Sequence, residues 1–187
     1  MKNYYQKAIT FQEYMQIAEQ RLHNNPDKSD EHQEYYELGL QRMNRTLKTY
    51  KVDESQLETL KSKNFTGKIL LISEPWCGDA SATVPAVSRF FEAGNIEAKI
   101  FLRDADETLI SQFLTNGTQS IPKILILNED FSLKNVWGPR PKHGLELLKK
   151  FKENPETYSK DEFHNDLQVY YAKNRGKDAI SEILELL

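Results

Sequence analysis

The segment Lys68-Ile69-Leu70-Leu71-Ile72-Ser73-Glu74-Pro75-Trp76-Cys77-Gly78-Asp79-Ala80 decides how the chain is read. Its first six residues are a short apolar run behind Gly67, the pattern of a buried parallel strand. Residues 77–93 then carry Val84, Val87, Phe90 and Phe91 at helical spacing and stop at Gly94. Cys77 stands at the join. A helix N-terminus has unpaired N–H groups and a partial positive charge, and both stabilise a thiolate, the nucleophilic form of cysteine. It is also the chain's one cysteine, so no internal disulfide can form and the core must hold the fold. A lone cysteine is commonly a small buried apolar residue. A core cysteine would sit within an apolar face, whereas this one heads a helix.

Downstream, 96–102 reads as a second strand, 104–116 as a helix ending at Gly117, 123–127 as a third strand and 131–137 as a fourth. The short Asn128-Glu129-Asp130 turn makes the last two a hairpin. A helix over 141–152 closes the unit. A βαβ unit, a second helix, a hairpin and a last helix give an α/β layout with a mixed sheet. Upstream, residues 1–63 read as helices. Phe11, Tyr14, Met15, Ala18 and Leu22 recur at helical spacing, with Thr10 as N-cap and Glu13 three residues on. A break follows at Asn24-Asn25-Pro26-Asp27. A second helix, over 30–50, carries Tyr36, Leu40, Met43 and Leu47 on one face, and a third covers 53–63. Two further helices, over 161–173 and 177–187, form a tail. The division expected is a helical N-terminal extension (1–63), a central domain (64–152) and a C-terminal helical tail (153–187) packing on that domain.

Glu74-Pro75-Trp76-Cys77-Gly78-Asp79-Ala80 resembles the Trp-Cys-Gly-x-Cys segment of thioredoxins, with a matching strand before it and helix after it. Ser120-Ile121-Pro122 precedes a strand, as does the thioredoxin-fold proline that takes the cis form and faces the active-site cysteine. Trp137-Gly138-Pro139 follows the hairpin, where a glycine lines the substrate groove in thioredoxins. Over residues 64–152 the resemblance implies a thioredoxin-like fold, a central mixed four-stranded sheet flanked by helices, here with helical N- and C-terminal extensions. The chain looks most like a bacterial subgroup with a Pro-Trp-Cys-Gly-Asp motif and a helical N-terminal extension. The resemblance implies a site in which Cys77 is the nucleophile with Asp79 beside it. Trp76, Gly78, Ile121, Pro122, Gly138 and Arg140 would line its groove.

The chain departs from the family pattern in three places. Ala80 stands where the second, resolving cysteine would be, so a mixed disulfide on Cys77 needs an external thiol for its release. Leu71 occupies the place of a buried aspartate that accepts protons in thioredoxins. Asp79 puts a carboxylate near the thiol. A helix terminus offers an anion about 0.3–2 kcal/mol. Two like charges about 5 Å apart cost about 3 kcal/mol at an effective dielectric of 20, and under about 1 kcal/mol across water. The orientation of Asp79 therefore decides whether Cys77 is activated; a plain helix-start carboxylate is the simpler alternative. Arg140 could offset Asp79 or hold an anionic ligand, unless it is an ordinary surface arginine. Arg103, at the end of the second strand, has a similar status.

The 187 residues carry 25 Lys and Arg against 28 Asp and Glu, a formal charge of −3. Without a strongly basic stretch, a nucleic-acid partner lacks its electrostatic footprint. Residues 1–10 hold no apolar core and do not read as a signal peptide. No apolar run approaches the roughly 20 residues that span a bilayer. A cytoplasmic protein without a membrane partner is expected. His23, His32, His143 and His164 show no metal-ligand spacing, and no glycine-rich phosphate loop is present, so no metal or cofactor is expected. Glu107 and its neighbours read as a solvated helix face. Tyr35, Tyr36, Tyr170 and Tyr171 read as packing residues. Two functions follow. One is a monothiol thiol–disulfide oxidoreductase, its partners a client protein or small-molecule thiol or disulfide and an external reducing thiol. The other is a non-catalytic thioredoxin-fold module that binds a protein or peptide. Iron–sulfur ligation between two copies would need two external thiols besides two Cys77 side chains, and Asp79 opposes it.

Overall fold

Strand β1 (Lys68–Ser73) is buried from Ile69 onward and lies inside a four-stranded sheet. The other strands are β2 (Ala98–Leu102), β3 (Lys123–Leu127) and β4 (Leu133–Trp137), in the order β2-β1-β3-β4. β1 runs parallel to β2 and antiparallel to β3, and β3 and β4 form an antiparallel hairpin. Burial on both faces explains why β1 and β3 are continuous apolar runs rather than alternating ones. The computed structural model describes residues 1–23 and 32–187. The break expected at Asn24-Asn25-Pro26-Asp27 lies outside them.

Among the described residues, α1 (Lys2–Lys7), α2 (Phe11–His23), α3 (Gln33–Thr49) and α4 (Glu54–Ser62) precede the sheet. Helix α5 (Ala80–Ala93) joins β1 to β2, and α6 (Lys142–Glu153), α7 (Lys160–Asn174) and α8 (Lys177–Leu186) follow β4. Three of these starts, those of α2, α4 and α7, carry side-chain caps. The Glu13 N–H donates to Thr10 Oγ1 at 3.2 Å and the Thr10 N–H donates to the Glu13 carboxylate at 2.7 Å, a reciprocal cap. Ser159 and Glu162 repeat it at α7, and Asp53 caps α4. Helix α5 is buried on nearly every side because β1, β2, α3 and α8 all pack against it. Ile9, between α1 and α2, exchanges two backbone hydrogen bonds of 2.8 Å with Ile100 and covers the free edge of β2.

The helix expected over 104–116 is not formed. That segment holds two short 3₁₀ turns, Arg103–Ala105 and Ile110–Gln112. Asp106 is extended, and its carboxylate takes the Thr108 N–H at 3.0 Å, a side-chain turn that competes with helical bonding. Strand β4 starts two residues later than read, because Phe131 takes a left-handed conformation (φ 64°) and Asp130 accepts the Ser132 N–H. Helix α5 starts at Ala80 rather than at residue 77, although the Ser81 N–H already donates to the Cys77 carbonyl at 3.0 Å.

At the end of β1 the Glu74 side chain is fully buried. It accepts from Arg21 of α2 at 2.6 Å and from the Asp104 N–H at 2.8 Å. Beside it, Tyr14 of α2 and Ser73 share a buried hydrogen bond of 2.9 Å. Burial pushes the Glu74 carboxyl above the usual carboxylate range, outweighing the Asp104 N–H and Arg21. Removing its cationic partner leaves a buried charge poorly compensated. Arg21→Ala should lower unfolding free energy by about 2–3 kcal/mol, below the about 3–5 of a fully buried pair because Arg21 reaches water. Urea denaturation followed by circular dichroism measures it; a loss below about 0.5 kcal/mol would remove this anchor from the account.

Candidate functional site

Residues 74–79 turn from β1 into α5, and Cys77 heads that turn with its N–H on the Glu74 carbonyl at 3.1 Å. Helix α3 rides directly on this turn. Its Gly39 makes the approach possible, since a Cβ there would lie 2.6 Å from the Pro75 carbonyl oxygen. Helix α7 stands on the other side. Between them opens a cleft of about 540 Å³, lined in part by Leu38, Arg42, Trp76, Cys77, His164 and Gln168.

Of the expected site residues, Trp76, Cys77, Gly78, Asp79 and Arg140 line this cleft. Ile121, Pro122 and Gly138 do not. They lie beneath, where the Cys77 thiol donates to the Ile121 carbonyl at 3.4 Å. Ile121 and Pro122 are buried. Gly138 (φ 112°) lies against them; a Cβ there would sit 2.3 Å from the Pro122 carbonyl oxygen. The Ile121–Pro122 and Gly138–Pro139 bonds are both cis.

Asp79 does not cap α5 with its side chain. The carboxylate is 8% exposed, pairs with Arg140 at 2.6 Å and accepts from the Tyr171 hydroxyl of α7 at 2.8 Å. Burial works against the Arg140 charge, but Asp79 outweighs it and raises its pKa. Burial and then Asp79 keep the Tyr171 phenol protonated. Arg140 is therefore a partner of Asp79, not a free surface cation.

Cys77 feels the other side of this arrangement. Its side chain is 8% exposed. Burial first, and then the Asp79 carboxylate, push the thiol up to about 12, against the N–H groups of Ala80 and Asp79 and the Arg140 charge. The native state thus holds the thiol proton more tightly than the unfolded chain, whose value is about 8.5. The resulting stabilisation is complete below about pH 8.5 and is lost as pH rises toward the folded value.

Trp76 is clamped. Its ring stacks on His32 at 4.0 Å between centroids, and the Arg103 guanidinium lies 4.8 Å away. Its indole N–H donates to Asp104 at 3.0 Å, and Arg103 bonds the same carboxylate at 2.6 Å. Arg103 thus serves the Trp76 clamp. Sequence reading missed Glu74, Arg42 and the polar role of Tyr171. A tyrosine at helical spacing looks like packing, and Tyr171 is indeed buried, but its hydroxyl finds Asp79 across 92 positions. Tyr35, read as packing, is 47% exposed and lines the cleft.

The sequence family described as thioredoxin matches residues 25–152, more than half of the chain. The chain belongs to the thioredoxin family. The crystal structure of an HIV epitope-scaffold is 17% identical, with a TM-score of 0.66, and the match covers 99% of this chain and 95% of that one. A protein of unknown function from Pseudomonas aeruginosa is 18% identical, with a TM-score of 0.61, over 97% and 93%. At these identities the likeness shows the fold. No curated protein matches the sequence. No helix among the described residues is long and apolar enough to cross a membrane.

The Asp79 contacts differ in kind, and their removal should differ in cost. Asp79→Asn leaves the half-buried Arg140 against an amide and should cost about 3 kcal/mol. Tyr171→Phe removes one hydrogen bond to a charged group and should cost about 1.5 kcal/mol. Urea midpoints of the two variants check the order; a Tyr171→Phe loss equal to or above that of Asp79→Asn would contradict it.

Proposed function

We propose that this thioredoxin-family chain is a non-catalytic binding module whose partner, a peptide or other small ligand, seats in the cleft over Cys77. The observation that carries this reading is the confinement of Cys77. The sulfur is buried, its proton is on the Ile121 carbonyl, the Asp79 carboxylate stands beside it, and Ala80 cannot resolve a mixed disulfide. Thiol exchange needs a thiolate that can line up with an outside sulfur. These contacts favour neither. The reading places the chain in the bacterial subgroup marked by Pro75-Trp76-Cys77-Gly78-Asp79, working in the cytoplasm. Residues 1–63 and 153–187 would be walls of its binding site rather than separate units.

A monothiol oxidoreductase is the second reading, and one observation favours it. The backbone N–H groups of Asp79 and Ala80, at the head of α5, favour the sulfur's anion and act against burial. In that chemistry Cys77 would attack a client disulfide and expel one client thiolate. An external thiol would then attack the client sulfur of the mixed disulfide, releasing the Cys77 thiolate and leaving a disulfide between that thiol and the client, which a second external thiol clears.

Reduction of bis(2-hydroxyethyl) disulfide at pH 7 in the presence of glutathione separates the two. The wild-type chain and Cys77→Ser should both run at the background rate. A wild-type rate well above that of Cys77→Ser would replace the binding module with the oxidoreductase.

A further inference from the structure

Arg42 of α3 lines the cleft. Among the described residues no hydrogen bond or ion pair reaches its guanidinium, although the residue is half-buried. Burial and then the neighbouring Arg45 hold its pKa below the ordinary guanidinium value. The other cleft arginine, Arg140, is neutralised by Asp79. Asp79 acts on Arg42 from a distance but does not outweigh burial and Arg45, so Arg42 is a weakly compensated charge in a partly desolvated place, a position arginines take where an anion is to be held.

The surroundings define that anion further. Arg42 Nη1 and Gln168 Nε2 converge over Gly78, 3.4 and 3.8 Å from where a Cβ on that glycine would sit. Gln168 Oε1, buried with no hydrogen-bond partner among the described residues, is an acceptor, so it is the Nε2 donor of this amide that can meet an anion. The lining is otherwise mixed, with His32, His164 and Asn165 as polar members and Tyr35, Leu38, Leu167 and the exposed part of Trp76 as apolar ones. A cleft of about 540 Å³ falls within the roughly 300–1,000 Å³ of small-molecule sites, which are mainly apolar with a few placed polar groups. Among the described residues Arg42 is the cleft arginine outside an ion pair, and the Asp79 carboxylate is close by, which matches a single negative charge. It disfavours a doubly charged phosphate.

Building on the binding-module reading, we propose that the cleft takes a small organic monocarboxylate, its carboxylate on Arg42 and Gln168 and its apolar body against Leu38, Leu167 and Trp76. Arg42 belongs to the N-terminal helices, so the extension supplies the specificity of the site.

The full chain is titrated with 4-phenylbutyrate and with its neutral analogue 4-phenylbutanamide, following the Gly78 amide and Trp76 indole signals by NMR. The acid should bind about tenfold more tightly than the amide, the size of one charge-assisted contact. Arg42→Gln should lower acid affinity about tenfold and leave the amide unchanged, and Arg42→Lys should restore part of the difference. Thermal stability should not fall in Arg42→Gln, because Arg42 holds nothing else in place. Equal binding of acid and amide at these signals overturns the inference and leaves the binding module standing. Binding of neither overturns it as well, and the disulfide-reduction comparison above then decides that reading on its own.

Discussion

One buried carboxylate, Asp79, connects three parts of the chain that are far apart in sequence. It sits at the start of α5, pairs with Arg140 beyond β4, and accepts from Tyr171 of α7. Such a group is costly to remove from water and persists only when its oxygens are satisfied. Here each oxygen has a partner, one of them an arginine. The same charge stands beside the Cys77 sulfur, in a place where little solvent screens it. Structural anchoring and suppression of the thiolate are therefore one interaction. Moving Asp79 aside to free the thiol would unfasten α7.

A second buried carboxylate repeats the design on the other side of the cysteine. Glu74, three residues before Cys77, ties β1 to Arg21 of α2 and to the Asp104 backbone, while Asp104 fixes Trp76. The polar residues around the cysteine are thus spent on holding helices from outside the central sheet. Those helices do more than cover it. Gly39 lets α3 rest on the Pro75 carbonyl, α7 stands opposite, and the space between them is the cleft. The face where a thioredoxin would meet its client is narrowed on both sides by this chain's own helices.

Most of the fold was legible in the residues. Apolar runs gave the strands, and the Thr10 cap marked the start of α2, while the Asp53 and Ser159 caps emerge in the structure. The segment 104–116 was misread because the choice there is local. Asp106 and Thr108 bond each other's turn instead of continuing a helix, and periodicity does not register that competition. The site was legible as a place but not as a state. Cys77, Trp76 and Asp79 stand together in one segment. Whether Asp79 activates or suppresses the thiol depends on Arg140 and Tyr171, whose positions are set by tertiary packing. Arg42 left no mark in the sequence, since an arginine on a helix that also carries Glu34, Glu37, Arg45 and Lys48 looks like a solvated one.

The pH dependence of Cys77 alkylation by iodoacetamide tests the central claim most directly, with the urea-unfolded chain as reference and one cysteine to label. The unfolded chain should titrate near the unperturbed value of about 8.5. The folded chain should stay nearly unlabelled through that range, with an apparent pKa near about 12. A folded-state pKa at or below the unfolded one, with rapid labelling at neutral pH, would show an exposed, stabilised thiolate and contradict the account.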